Sequence, residues 1–367
     1  VPKVLVDLLS YTGTKGGTET YTRELYRQIG QMDTPYEFVG YASKEFMGHD
    51  HSWFPGEVIA SKFSGENRFS WAYGELFGVS RAANRLGADL IHCPAMLGPM
   101  RSRVPVVISM HDLLYFAHPE YMLTGLYTEP VKWMEKRGAA NATRILTISE
   151  ASAADIRKYL KFPPERTDLV PLAGTVQPRE RTTVQREPAT FLAVGNRRPH
   201  KNFDGLVRSL ATIAPEDRPK VIITGSHGDD PLLPLVRSLG LEDSVELLSW
   251  ISVEDLDRLY ERVTALIVPS HCDGFSLPAL EAMLIGVPVM LADIPVYREV
   301  GGDAAYYFDS SDDAAIGRAM VDLVKRPELQ KSLSEGGPAR ASLFSWEKVA
   351  QGTFESFDRA LSATPSR

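Results

Sequence analysis

Apolar residues along the chain come in short β-rich runs, and segments with apolar positions every three or four residues lie between several of them. In the first half, KVLVDLL (3–9), EFVGYA (37–42), DLIHCP (89–94), VPVVISMHD (104–112) and RILTIS (144–149) predict strands. Segments 17–31 and 127–141 predict helices between them. The stretch 43–75 has neither period and reads as a loop that orders around a ligand. The pattern breaks at PLAGTVQPRERTTVQREP (171–188), rich in Pro, Thr and charge, which predicts an exposed linker. It then restarts. Strands are expected at 190–196, 220–225, 244–250, 265–270, 287–292 and 304–309, and helices at 202–214, 231–239, 253–262, 277–285 and 312–324. A last amphipathic helix, 344–361 behind a Ser345 cap, closes the second domain or reaches back to the first.

Strands alternating with helices imply parallel sheets covered on both faces. The expected fold class is α/β, with two doubly wound domains: 1–175, a linker at 176–189, and 190–345, followed by the helix of 346–367. Ligands in such sheets sit beyond the carboxyl ends of the strands.

The 367-residue length favours two cores over one. A formal net charge of −7, with no run of more than two consecutive basic residues, argues against sequence-independent nucleic-acid binding. Cys93 and Cys272 predict free thiols in a reducing compartment. No CxxC or HExxH spacing suggests a metal. Neither a signal peptide nor a membrane-spanning run is evident, so the expected location is the cytoplasm, free or against the inner face of a membrane.

Four segments at strand ends carry candidate chemistry. SYTGTKGGTETYTREL (10–25) places Gly16 and Gly17 at a helix start, where open amides suit an anion or a tight turn. SMHDLLYFAHP (109–119) ends a strand with His111 and Asp112, either a reacting pair or a loop-shaping one. AVGNRRPHKNFDGLV (193–207) clusters Arg197, Arg198, His200 and Lys201 where a diphosphate could be held by charge-assisted hydrogen bonds. HCDGFSLPALEAMLIGVPV (271–289) carries Asp273 and Glu281 around a Pro278 helix start. There the open amides of Gly274, Phe275, Ser276 and Leu277 and both acids can face one small volume. The Asp-Leu-Asp of EDLDRL (254–259) lies on a helix, where residues two apart do not share a face, and reads as a solvated surface.

Taken together these segments resemble the retaining nucleotide-sugar glycosyltransferases of family 4, with the GT-B architecture of two Rossmann-like domains facing a central cleft. Gly16, Gly17 and Glu19 are similar to the family's phosphate loop, and VGNRRPHKN to its VG…RK segment. DGFSLPALEAMLIGVPV is similar to its EGFGLPxLEAMAxGxPV segment, and FSWEKVA is typical of its C-terminal end.

The resemblance implies that Arg198 and Lys201 bind the donor diphosphate, with Asn196 and Arg197 beside them and Gly16–Gly17 approaching from the first domain. It implies sugar contacts from Asp273 and the amides of Gly274 to Leu277, ribose contacts from Glu281, and base contacts at Trp250 and Ile251. His111 would lie beside the donor sugar and the acceptor. Two departures stand out: the first acid is Asp273 rather than Glu, and Ser276 replaces a small Gly.

The implied reaction moves a hexose, from GDP-mannose or a UDP-hexose, to a sugar, glycolipid or small-molecule hydroxyl, with neither a metal nor another cofactor. The alternatives are a nucleotide-sugar epimerase on the same scaffold and a non-catalytic sugar-binding protein. Trp53, Phe63, Phe69, Trp71, Tyr73 and Phe77 would line an acceptor site or pack in the core.

Overall fold

Every apolar run expected as a strand forms one, and all of them pair in parallel. Among the described residues (1–13, 16–122, 125–176 and 186–363 of this computed structural model) the strands make two sheets. The chain divides into two units, Val1–Leu172 with Ser345–Arg367, and Ala173–Phe344.

The first unit contains β1 (Lys3–Leu8), β2 (Glu37–Ala42), β3 (Glu57–Ala60), β4 (Leu90–Cys93), β5 (Val106–Ser109), β6 (Arg144–Thr147) and β7 (Thr167–Leu169), in the spatial order 3-2-1-4-5-6-7. β4 and β5 are buried along their whole length, as a sheet covered on both faces requires. Leu5, Ile91, Ile108 and Ile145 meet in one core with Val79 and Ala83 from the helix Val79–Leu86. The stretch expected as a loop at 43–75 instead holds β3 and the helix Arg68–Tyr73, and it buries Trp53 and Phe63. Neither element has a periodic apolar run of its own; β3 exists because the exposed edge of β2 accepts a partner.

The C-terminal helix, Trp346–Ser362, groups with the first unit. Ser345 caps it, its hydroxyl accepting from the Lys348 amide at 3.3 Å. Phe354 and Phe357 pack on Tyr36, whose hydroxyl donates to Asp358 at 2.5 Å. Arg359 meets the carboxylate of Asp168, which also pairs with Arg144. Burial alone would raise the pKa of Asp168, but the hydrogen bonds from Arg144 hold it below the usual carboxylate value.

The second unit contains β8 (Thr190–Val194), β9 (Lys220–Ser226), β10 (Val245–Ser249), β11 (Ala265–Val268), β12 (Val289–Ala292) and β13 (Tyr306–Phe308), in the order 10-9-8-11-12-13. Residues Ala173–Thr175 go with this unit, and residues 177–185 of the expected linker lie outside the described residues. A helix not expected from the pattern, Pro327–Ala341, runs through Gly336-Gly337-Pro338. Gly337 lets the two helices come close: a Cβ there would lie a tight 3.2 Å from the Met283 carbonyl on the helix Leu277–Leu284.

Candidate functional site

In the second sheet the connections from β8 and β11 depart to opposite sides, so the turns after these neighbouring strands flank the topological switch point. The two turns are tied together. Asn202, in the left-handed region at φ 54°, donates through Nδ2 to the Pro269 carbonyl at 3.2 Å and the Ser310 carbonyl at 2.9 Å. The His271 amide donates to the His200 carbonyl at 2.8 Å. This clamp brings Lys201 from one turn against Asp273 from the other, Nζ to Oδ2 at 2.7 Å.

Asp273 is held from three sides. Besides Lys201, the Tyr297 hydroxyl donates to Oδ2 at 2.8 Å and the Gly274 amide to Oδ1 at 3.0 Å. Tyr297 is fully buried, and burial together with the Asp273 charge raises its pKa well above the usual phenol value, so it remains a donor. With two donors on Oδ2, the carboxylate keeps its best open acceptor site on Oδ1. The shorter side chain at 273 is therefore fixed by a tyrosine that the sequence did not mark.

The adjacent arginines separate. Arg197, expected among the donor contacts, has its side chain only 7% exposed, and all five guanidinium N–H groups have acceptors. Nη1 donates to the Thr224 and Gly195 carbonyls at 2.7 and 3.1 Å, Nη2 to the Ile223 carbonyl and Asp230, and Nε to Asp230. This corrects the expectation for Arg197: its guanidinium is spent on staples between the turns after β8 and β9. Arg198 is exposed, its amide donating to Asn196 Oδ1 at 3.3 Å.

The helix Leu277–Leu284 starts behind Ser276 with Pro278 in its first turn. Helix geometry leaves the amides of Leu277 and Ala279 without acceptors inside the helix. Gly274, Phe275 and Ser276 are buried beside them. Glu281, one turn further on, accepts from the Thr175 hydroxyl at 2.5 Å and the Tyr260 hydroxyl at 3.3 Å, and burial raises its pKa. Asp273 and Glu281 thus have separate sets of partners. Trp250 follows β10 and is 58% exposed, with Ile251 next to it. His227, which the sequence reading passed over, stacks flat on Trp250 at 5.2 Å between ring centroids and 12° between planes. Asp255 and Asp257 lie on the helix Val253–Arg262. Among the described residues no three His, Cys, Asp or Glu side chains are grouped to hold a metal ion.

Gly16, Gly17 and His111 lie in the first unit. Gly16 has φ 65° and ψ −130°, a conformation for glycine alone, and a Cβ at Gly16 or Gly17 would meet open space. Glu19 holds its own loop: Oε1 accepts from the Thr12 and Gly13 amides at 2.6 and 3.1 Å. His111 follows β5, edge-on to Tyr21 at 4.5 Å, with its carbonyl accepting from Ser152 at 2.8 Å. Burial lowers its pKa to about 4, so the ring is neutral near pH 7, and Nε2 has no hydrogen-bond partner among the described residues. Asp112 accepts from the Leu114 amide at 3.2 Å, which shapes the turn.

Residues 15–173 match the family model described as Glycosyltransferase Family 4, and residues 177–340 the one described as Glycosyl transferases group 1. O-antigen chain mannosyltransferase B of Escherichia coli is 30% identical over 268 residues, 68% of this chain and 69% of that protein. The chain belongs to glycosyltransferase family 4. Another family relative, the MMP alpha-(1->4)-mannosyltransferase of Mycolicibacterium hassiacum, is 30% identical over 237 residues, 62% of this chain and 57% of that protein. The fold is GT-B: sucrose-phosphate synthase from Thermosynechococcus elongatus superposes with a TM-score of 0.76 at 18% identity, over 99% of this chain and all of that one. For a glycosyltransferase of this family, the second unit groups Arg198, Lys201, Asp273 and the 274–277 turn at its switch point, whereas Gly16–Gly17 and His111 line strand ends of the first.

Proposed function

We propose that this glycosyltransferase is a retaining hexosyltransferase that takes a mannosyl group, ahead of other hexoses, from a nucleoside diphosphate sugar without a metal. The observation that carries this reading is the Lys201–Asp273 pair at the switch point, with the exposed Arg198 and the helix-start amides beside it. The mannosyl preference rests on the two mannosyltransferase relatives.

In the reaction the bond between the sugar C1 and the diphosphate oxygen breaks, and the acceptor oxygen bonds to C1 on the same face. The acceptor's proton passes to a donor phosphate oxygen, and nucleoside diphosphate leaves. Negative charge grows on the leaving group, where Lys201, held by Asp273, offers a fixed cation in a partly water-excluded site and Arg198 a second cation from its exposed edge. Asp273 Oδ1 would accept from a sugar hydroxyl, Glu281 from the ribose, and the Trp250–His227 stack would lie against the base. His111, neutral with a spare ring nitrogen, would hydrogen-bond the sugar or the acceptor hydroxyl.

Incubation with a panel of nucleotide sugars, with and without hydroxyl acceptors and with EDTA, tests the reading by mass spectrometry and anomeric NMR. Expected are acceptor-dependent donor loss, a product of unchanged anomeric configuration, and a rate indifferent to EDTA. An epimerised free sugar, an inverted product or no turnover with any donor would overturn it.

A further inference from the structure

The helix Arg68–Tyr73 continues through a π-turn, Gly74–Gly78, into the helix Val79–Leu86. Its inner side packs Trp71 and Leu76 against Leu97, Met100 and Met134, while its outer side leaves Phe69 89%, Tyr73 47% and Phe77 37% exposed. A four-residue step slightly overshoots an α-turn and undershoots the wider π-turn. The two offsets oppose each other, so residues 69, 73 and 77 stay in one row. The rings of Tyr73 and Phe77 lie 5.3 Å apart, and the Arg81 guanidinium covers both at 5.6 and 5.8 Å.

The surroundings are basic, against the sign of the whole chain, which is −7. Arg68 and Arg81 flank the aromatic row and are exposed. Arg101 and Arg103 follow Met100, whose amide donates to the Leu76 carbonyl at 3.2 Å. Lys136 and Arg137 stand on the helix Gly125–Asn141, next to Met134. The carboxyl groups of Glu75 and Glu135 in these same elements are buried, and the exposed acids, Glu66 before Arg68 and Glu129 paired with Lys132, are outnumbered by the arginines and lysines around the row.

We propose that this row of aromatics and its arginines dock on a bilayer rich in anionic lipid. Aromatic side chains on a helix whose flanks carry Arg and Lys match the boundary between acyl chains and negative headgroups. The row is a ridge on a helix, without the basic groove that tracks a nucleic-acid strand. Among the described residues no helix is long and apolar enough to cross a membrane. The docking does not depend on the donor or on the stereochemistry proposed above.

Flotation of the full chain with phosphatidylcholine vesicles, with and without phosphatidylglycerol, tests the surface. Two variants accompany it: Phe69→Ser with Phe77→Ser, and Arg68→Glu with Arg81→Glu, each checked by thermal melting. Expected is binding only to the phosphatidylglycerol vesicles, weakened by salt and reduced about tenfold or more in each variant, with unchanged melting. Absence of binding at low salt, equal binding by the folded variants, or a self-associating or single-strand-binding surface lost in the variants without any vesicle binding would overturn it.

Discussion

The two units share a topology yet present opposite electrostatics at their strand ends. In the second, the switch-point turns are clamped by Asn202 and the His200–His271 bond, and the site consists of charges held by other charges and hydroxyls. In the first, His111 and Glu135 near the end of β5 are kept neutral beside the charge of Asp112: burial lowers the pKa of His111 to about 4 and raises that of Glu135 to about 8. Fixed charge suits an anion such as a diphosphate; a neutral ring with an unused nitrogen suits a hydroxyl. One topology, used twice, thus carries fixed charges in one unit and a neutral, unpartnered imidazole in the other, a difference made by burial and partner choice rather than by architecture.

The sharpest way to break this contrast is Lys201→Ala. It should lower kcat by roughly 10²–10³, about 3 kcal/mol of leaving-group stabilisation, as measured by steady-state kinetics. An effect confined to donor KM would show that the charge acts equally in the ground state. Next come the neighbouring arginines. Arg197→Ala leaves the half-buried Asp230 carboxylate with only the Leu232 amide and the nearby Ser226 as partners, and should cost about 2 kcal/mol of stability in denaturant melts. Arg198→Ala should leave the melt unchanged and lower kcat, by less than Lys201→Ala because Arg198 is exposed.

Glu135 probes the neutral side. Burial, then the charge of Asp112, raises its folded pKa above the unfolded value, so the native state binds the extra proton. Its stability contribution is full at low pH and is lost as pH rises toward and through about 8. Glu135→Gln should flatten that decline and leave the variant about 2 kcal/mol more stable than the parent near pH 9, seen by pH-resolved thermal melts. Smallest is Tyr297→Phe, which frees one lone pair on Asp273 Oδ2. A loss of about tenfold in kcat/KM, with donor-sugar selectivity broadened, is expected, since one charge-assisted hydrogen bond disappears.

The alternation of apolar runs and helical periods made both sheets legible, because buried parallel strands must be nearly all apolar. The elements it concealed have identifiable causes. β3 and β7 are short edge strands whose neighbours supply the pairing, and Gly336-Gly337-Pro338 looks like a breaker although Gly337 sits where a helix approaches Met283 closely. Within the site, motif spacing selected Lys201 and Asp273, and the structure brings them together. Counting back from Lys201 selects Arg198 over Arg197 for the diphosphate but keeps Arg197 beside it, because the inward turn of Arg197 depends on Asp230, far along the chain. Tyr297 and His227 were equally hidden, because each acts through a residue distant in sequence.

Equilibrium binding of GDP, UDP and the corresponding monophosphates to the parent chain and Lys201→Ala, by calorimetry, tests the central assignment directly. The account predicts that the parent binds one nucleoside diphosphate more tightly than its monophosphate, and that Lys201→Ala removes most of this difference while keeping monophosphate affinity. Equal affinity of parent and variant for the diphosphate would contradict it.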